Sequence, residues 1–151
     1  MVSRESFMDA ALEQARLGLA AGEVPIGAVL VIDDEIVARG YNQPISSCDP
    51  TAHAEILVLR EAARAIGNYR VTSADLYVTL EPCLMCVGAL VHARVRGVIY
   101  GAAEPKTGAL VSTVRALDTP GLNHRFTAAG GVRGQEAREL IQEFFREKRR
   151  L

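Results

Sequence analysis

Thr51-Ala52-His53-Ala54-Glu55 and, about thirty residues on, Pro82-Cys83-Leu84-Met85-Cys86 are the stretches from which the rest of the chain is read. They hold one imidazole and two thiols, donors suited to a borderline-soft cation, and zinc takes such N and S ligands tetrahedrally. A structural zinc site closes all four positions with protein; a catalytic site leaves the fourth to water. His53, Cys83 and Cys86 supply three ligands, so the expectation is a catalytic Zn2+, one per subunit. Glu55 stands two residues from His53, close enough to carry protons beside the metal without being a ligand. Two other readings stand beside this one. The first is a redox CxxC next to an unrelated core histidine; the second is a structural zinc completed by Cys48, the remaining cysteine.

The surrounding sequence predicts where these residues lie. Phe7, Met8, Ala11, Leu12, Ala15 and Leu19 recur at helical spacing, and Gly22 and Pro25 end that helix. Ile26 to Ile32 is a short apolar run rich in β-branched residues. Asp33-Asp34 turns it, and Glu35 to Tyr41 returns as the second strand of a hairpin. Residues 42–50 read as a loop. Thr51 or Asp49 is expected to cap a helix that runs to about Ile66, with His53 and Glu55 in its first turn.

Leu76 to Leu80 is a third strand. Pro82 favours a helix start, which puts Cys83 and Cys86 on one face of a first turn whose N–H groups favour thiolate. Both ligand sets then lie at helix N-termini in a cleft at strand ends. Gly97 to Gly101 is a fourth strand, residues 109–117 look helical, and Arg125 to Ala129 is a weak fifth strand reached by a connection long enough for a parallel crossover. Residues 136–149 form an amphipathic helix with Leu140, Ile141, Phe144 and Phe145 inward. The expected fold is α/β, three-layer α/β/α with a mixed five-stranded sheet, as one domain over residues 1–151. The helix from Cys83 to Ala93 is apolar almost all round and needs cover on more than one side, from the sheet and from something else, such as a second subunit. Glu81, at a strand end before Pro82, reads as structural, and His92 as a satisfied core histidine. Val24, Pro25 and Ile26 suit an apolar pocket wall.

The totals bound the function classes. A chain of 151 residues, 49% hydrophobic and 23% charged, has the makings of a real core. A net charge of −1 argues against broad coating of nucleic acid, though not against a local basic patch. Three cysteines, two of them in one CxxC, do not make a disulfide framework. The N-terminus lacks the layout of a signal peptide and apolar runs are too short to span a bilayer, so a cytoplasmic protein with no membrane partner is expected. Four Tyr and four Phe offer little for an extended base-stacking platform.

His-x-Glu followed by Pro-Cys-x-x-Cys resembles the signature of the zinc-dependent nucleobase deaminases of the cytidine and deoxycytidylate deaminase superfamily. The run NQPISSCDPTAHAE (Asn42 to Glu55), YVTLEPCLMC, Lys106-Thr107-Gly108, Pro120 to Arg125 (PGLNHR) and Phe144-Phe145-Arg146 are similar to the bacterial tRNA-specific adenosine deaminases, and this resemblance covers nearly the whole chain. It implies a cytidine-deaminase-like fold, a homodimer, and hydrolytic deamination of adenosine to inosine at the wobble position of a tRNA anticodon stem-loop. Glu55 would carry the protons. The amide of Asn42 offers donor and acceptor to a base edge, or else simply forms a turn, and Ala54 offers its main chain. Glu104, Lys106, Asn123, His124, Arg125, Arg149 and Arg150 fall on motifs implied to contact RNA. Glu104 stands where the family usually has Asp, so its carboxylate reaches further. From charge alone, the terminal Arg146, Lys148, Arg149 and Arg150 set against Glu147 read as a solvated helix face; the resemblance turns that face toward the anticodon loop. The alternatives are a free-base or nucleoside deaminase for guanine or cytosine, and a non-catalytic zinc module, for which Glu55 would have no use.

Overall fold

Strand β1 (Gly27–Ile32) turns back into β2 (Glu35–Tyr41) through Asp33 and Asp34, whose φ angles of 51° and 61° are both left-handed. Positive φ at both central residues gives the tight hairpin turn whose twist matches that of paired strands. On its other edge β1 pairs antiparallel with β3 (Asp75–Leu80). β3 runs parallel to β4 (Gly97–Ala102), and β4 parallel to the short β5 (Thr127–Ala129). The sheet order is β2-β1-β3-β4-β5 in this computed structural model, which describes residues 2–150; the end residues of the expected 1–151 domain lie outside the described residues.

Alternation along the strands sorts the core into two layers. Ala28, Leu30, Leu76, Val78 and Val98 face one side, where they meet Val58, Leu59 and Ala62 of helix α3 (Ala54–Ile66) and Val87, Leu90 and Val91 of α4 (Leu84–Ala93). Val29, Val31, Tyr77 and Ile99 face the other side and meet Phe7, Met8 and Ala11 of α1 (Arg4–Ala20). Helix α5 (Gly134–Arg150) joins that second layer by packing Ala137 against Leu12 and Ala102. The result is the expected three-layer α/β/α arrangement with a mixed five-stranded sheet. Among the described residues, no helix is long and apolar enough to cross a membrane.

Several local expectations need correction. The 42–50 loop contains a one-turn helix, α2 (Pro44–Ser47). Residues 109–117 are not a helix; they form successive turns ending in a 3-10 turn, Ala116–Asp118. His92 is not in the core but exposed near the end of α4. Phe145 is 48% exposed, so α5 rests on Ala137 and Phe144, with Leu140 half-buried.

Leu76 lies wholly buried on the central strand. Leu76→Ala should lower unfolding free energy by about 2–5 kcal/mol. Leu17→Ala, on the exposed side of α1, should shift it by less than about 0.5 kcal/mol. Urea denaturation of the two variants checks both figures.

Candidate active site

Two helix N-termini meet at the centre of the site. His53 is the N-cap residue of α3 and Cys83 that of α4, and neither side chain caps its own helix. Both side chains are instead aimed at each other. His53 Nδ1 lies 3.6 Å from Cys83 Sγ and 3.5 Å from Cys86 Sγ, and the three donor atoms all fall within 4.8 Å of one another. A tetrahedral zinc with ordinary Zn–N and Zn–S bonds sets such N-to-S edges at about 3.6 Å. The donor set therefore fits zinc in chemistry and in spacing. Cys48, in left-handed conformation at the end of α2, is exposed and is not part of this cluster.

With its own N-cap side chain diverted, α3 receives its cap from outside. Asn42 Oδ1 accepts from Ala54 N–H at 2.9 Å, and Asn42 is only 6% exposed. The expected caps Thr51 and Asp49 bond each other instead: Asp49 Oδ1 accepts from Thr51 N–H and Oγ1. Asn42 thus has its oxygen committed to the helix and its amide N–H2 left for other partners. Pro82 precedes the N-cap of α4 rather than opening the helix, so Cys83 is the cap and Cys86 sits in the first turn.

Burial and neighbours tune the ionisable groups. Glu55, 4% exposed, is pushed up to about 7, first by desolvation. Cys83 is held down to about 4. The hydrogen bond from the Cys86 thiol is the main cause, and His53 adds to it against the opposing effect of burial. Cys86 is pushed up by the same pairing with Cys83, and His53 is raised mainly by its contact with Cys83.

Two more buried carboxylates hold the walls, and reading the sequence alone gave neither its partners. Glu23, 1% exposed, accepts from Ile45 N–H and Ser46 N–H and so fixes the short α2 beside Asn42. Burial works to raise its pKa, but the bonds from Ser46 and Ile45 outweigh it and hold the carboxyl below its usual range. The signal was a lone acid ahead of the apolar run 24–32. Glu81, 3% exposed, accepts from the N–H groups of Glu104, Leu110, Val111 and Ser112 and from the Ser112 hydroxyl. The structural expectation for Glu81 agrees with this, since its oxygens turn toward the 104–112 loop. Pro25 is buried and Val24 and Ile26 half-buried, close by Asn42 through the bond from Asn42 N–H to Ile26 C=O.

The outer residues separate into two groups. Lys106 joins Arg146, Lys148, Arg149, Ile141 and Phe145 along an open groove of about 660 Å3. Glu104 folds back on its own turn, accepting from Lys106 N–H at 2.8 Å. Arg150 does not line that groove and pairs with Glu147. His124 Nε2 bonds Val95 C=O at 2.7 Å, and the Arg125 guanidinium donates to Leu117 C=O and Thr119 C=O. Both are thus engaged in holding their own connection. Asn123 lines a small concavity with His92 and Arg94.

A family profile described as the zinc-binding region of cytidine and deoxycytidylate deaminases matches residues 1–102. The chain is 48% identical to the tRNA-specific adenosine deaminase of Agrobacterium fabrum over 149 residues, covering 99% of this chain and 98% of that one. It is 44% identical to that of Haemophilus influenzae, covering 96% and 84%. Among solved structures it is similar to one from work on A-to-I editing by tRNA:A34 deaminases at the wobble position, at TM-score 0.89, 47% identity, and 91% and 99% coverage. It also resembles the guanine deaminase of Bacillus subtilis, at TM-score 0.65 and 36% identity over 83% of each chain.

Glu23→Gln sets an N–H2 against one of the two main-chain N–H groups that the carboxylate accepted, so it should destabilise the fold. Because the folded-state pKa of Glu23 lies below that of the unfolded chain, its contribution is present above the ordinary glutamate value of about 4.3 and fades as pH falls through the folded value. Urea titrations of both proteins should therefore show a gap that is full at neutral pH and narrows in acid.

Proposed function

The chain belongs to the cytidine and deoxycytidylate deaminase family, and from that premise we propose that it converts adenosine to inosine at the wobble position of a tRNA anticodon. The observation that carries the chemistry is a buried carboxyl, Glu55, beside a three-donor cluster fit for zinc. Whole-length similarity to tRNA-specific adenosine deaminases supports the substrate. It supports RNA over the free-base alternative, whose guanine-deaminase structure is less similar in sequence and in fold.

His53, Cys83 and Cys86 are the ligands in this reading, and zinc held there supplies the Lewis acidity that makes water a nucleophile near neutral pH. Glu55 takes the proton of the attacking water and delivers it to the ring nitrogen of the base. It then passes the second proton to the departing amine, the bond from C6 to nitrogen breaks, and ammonia leaves. Asn42, already fixed through its oxygen, presents its N–H2 to the base edge, and the Ala54 main chain lies between ligand and acid. Lys106, Arg146 and Arg149 meet phosphates along the groove beside α5, with Phe145 as an apolar floor. A target base in an anticodon loop is already unpaired, so little energy is spent in extruding it.

The same reading extends to assembly and place. The chain acts as one deaminase domain over residues 1–151 and works in the cytoplasm. Leu84 and Met85, 63% and 37% exposed on α4, suit cover by a second copy in a homodimer.

Glu55→Ala should lower turnover by at least about 100-fold while zinc content stays at one ion per subunit. Zinc loss, or retained activity, would refute the role. Cys86→Ser should lose the metal. The substrate assay compares a short anticodon stem-loop carrying adenosine at the wobble position with the same loop carrying guanosine, and with free guanine, adenosine and cytosine. Inosine is expected from the first RNA alone, and turnover of a free base with the RNA untouched would sink the tRNA reading.

A further inference from the structure

Glu81 stands at the junction of two parts of the site. It ends the segment leaving β3, and the next residues, Pro82 and Cys83, lead into α4. Its own N–H bonds Ala102 C=O at 2.9 Å, which ties it to the end of β4. Its side chain enters the loop that follows β4. Four main-chain N–H groups and one hydroxyl converge on its two oxygens, all of them from residues 104 to 112. A carboxylate accepts at about four lone-pair positions and donates none when ionised. It is therefore the side chain that can satisfy such a set of donors in one buried place.

The loop is shaped around that carboxylate. A Cβ added to Gly108 would run into the Glu81 carboxyl carbon and one of its oxygens, so only glycine fits there. Gly108 N–H returns to Glu104 C=O, and Gly108 C=O accepts from Thr113 N–H and its hydroxyl. Ala109 N–H reaches Pro82 C=O at 2.9 Å, a second tie between the loop and the metal-ligand segment. Lys106 rides on the tip of this structure, exposed and on the groove it shares with Arg146 and Arg149. Without the carboxylate, the loop has at least four inward N–H groups and no helix or strand to take them.

From this arrangement we infer that Glu81 is a positioning residue, which sets Lys106 and the 104–112 loop in register with the zinc-ligand turn so that RNA held in the groove meets the reacting centre. It touches neither substrate nor metal and acts through Lys106. The inference rests on the proposed phosphate contact of Lys106.

The experiment measures KM and kcat on the wobble-adenosine stem-loop, with zinc content of every variant, for Glu81→Gln, Ser112→Ala, Ser112→Thr, Lys106→Ala and the Glu81→Gln/Lys106→Ala double variant. Glu81→Gln puts an N–H2 where one oxygen accepted from two or three donors, and should raise KM by about 10-fold, with kcat within about twofold and zinc retained. Ser112→Ala should raise KM by about two- to threefold, and Ser112→Thr, which keeps the hydroxyl, should restore it. The double variant should be no worse in KM than Lys106→Ala alone, because both changes remove one and the same contribution. Multiplying effects in the double variant overturn the inference, as does zinc loss or a collapse of kcat at unchanged KM in Glu81→Gln. If Glu81→Gln does not fold, the Ser112 pair decides, and Ser112→Ala with the parent KM overturns it. Lys106→Ala without effect overturns the phosphate contact, and this inference with it. An effect of Lys106→Ala with none from Glu81→Gln or Ser112→Ala overturns the positioning role alone.

Discussion

The convergence of one imidazole and two sulfurs on a single point is the constraint that the rest of the structure serves. His53 and Cys83 are both N-cap residues, the position where a side chain ordinarily accepts from its own helix. Turning them toward each other leaves donors at the start of α3 that must be met by another group. Asn42 meets one of them from across the loop, at Ala54 N–H. The same displacement explains why Asn42 is buried and oriented: the demand for a cap fixes its oxygen, and that leaves its N–H2 at a defined place beside the metal ligands. A structural need of the helix thus fixes the group proposed above to read the base edge.

The sheet order makes the convergence attainable. β1 and β3 pair side by side, and α3 and α4 pack on the same face over them. Their N-termini therefore arrive at one edge of that layer, where loops rather than strands form the walls. Loops carry unpaired N–H groups, and in this protein buried carboxylates gather them: Glu23 for the loop at 42–48 and Glu81 for the loop at 104–112. Both hold their negative charge despite burial, because the hydrogen bonds outweigh desolvation. Glu55 is the contrasting case: desolvation is the largest effect on it and outweighs its hydrogen bonds, so it is pushed up to about 7. Three buried glutamates thus take different parts according to whether hydrogen bonds or desolvation wins at each.

The clustering of His53, Cys83 and Cys86, the hairpin and the alternating strands could be read from the chain because their signals are local. A CxxC on a helix start, an HxE before an apolar run and a period-two strand all lie within a few residues. The misread parts depend on distant partners. Residues 109–117 have a helix-like apolar pattern, but their N–H groups at 110, 111 and 112 are claimed by Glu81, and turns result. The caps proposed for α3 lay near it in sequence, while the actual one comes from twelve residues upstream. Phe145 fits an amphipathic stripe, yet α5 makes its buried contacts through Ala137 and Phe144. His92 was misplaced because uniform hydropathy along α4 hides which side the sheet covers.

The exposure of Phe145 bears on the groove. A terminal helix packed along its whole length would present only charge to solvent, the bland reading of Arg146, Lys148 and Arg149. Here the apolar ring of Phe145 lies among those cations, and Lys106 faces them from a separate loop. A solvated helix face has no need of an aromatic floor or of a lysine supplied by a distant segment. A strand of nucleotides offers phosphates and unstacked bases together, which is the chemistry behind the RNA contact proposed for this groove. The loop that brings Lys106 to the groove is anchored at Glu81 and Pro82, immediately before Cys83. The lysine of the groove is thereby tied to the turn that carries Cys83 by a few buried hydrogen bonds.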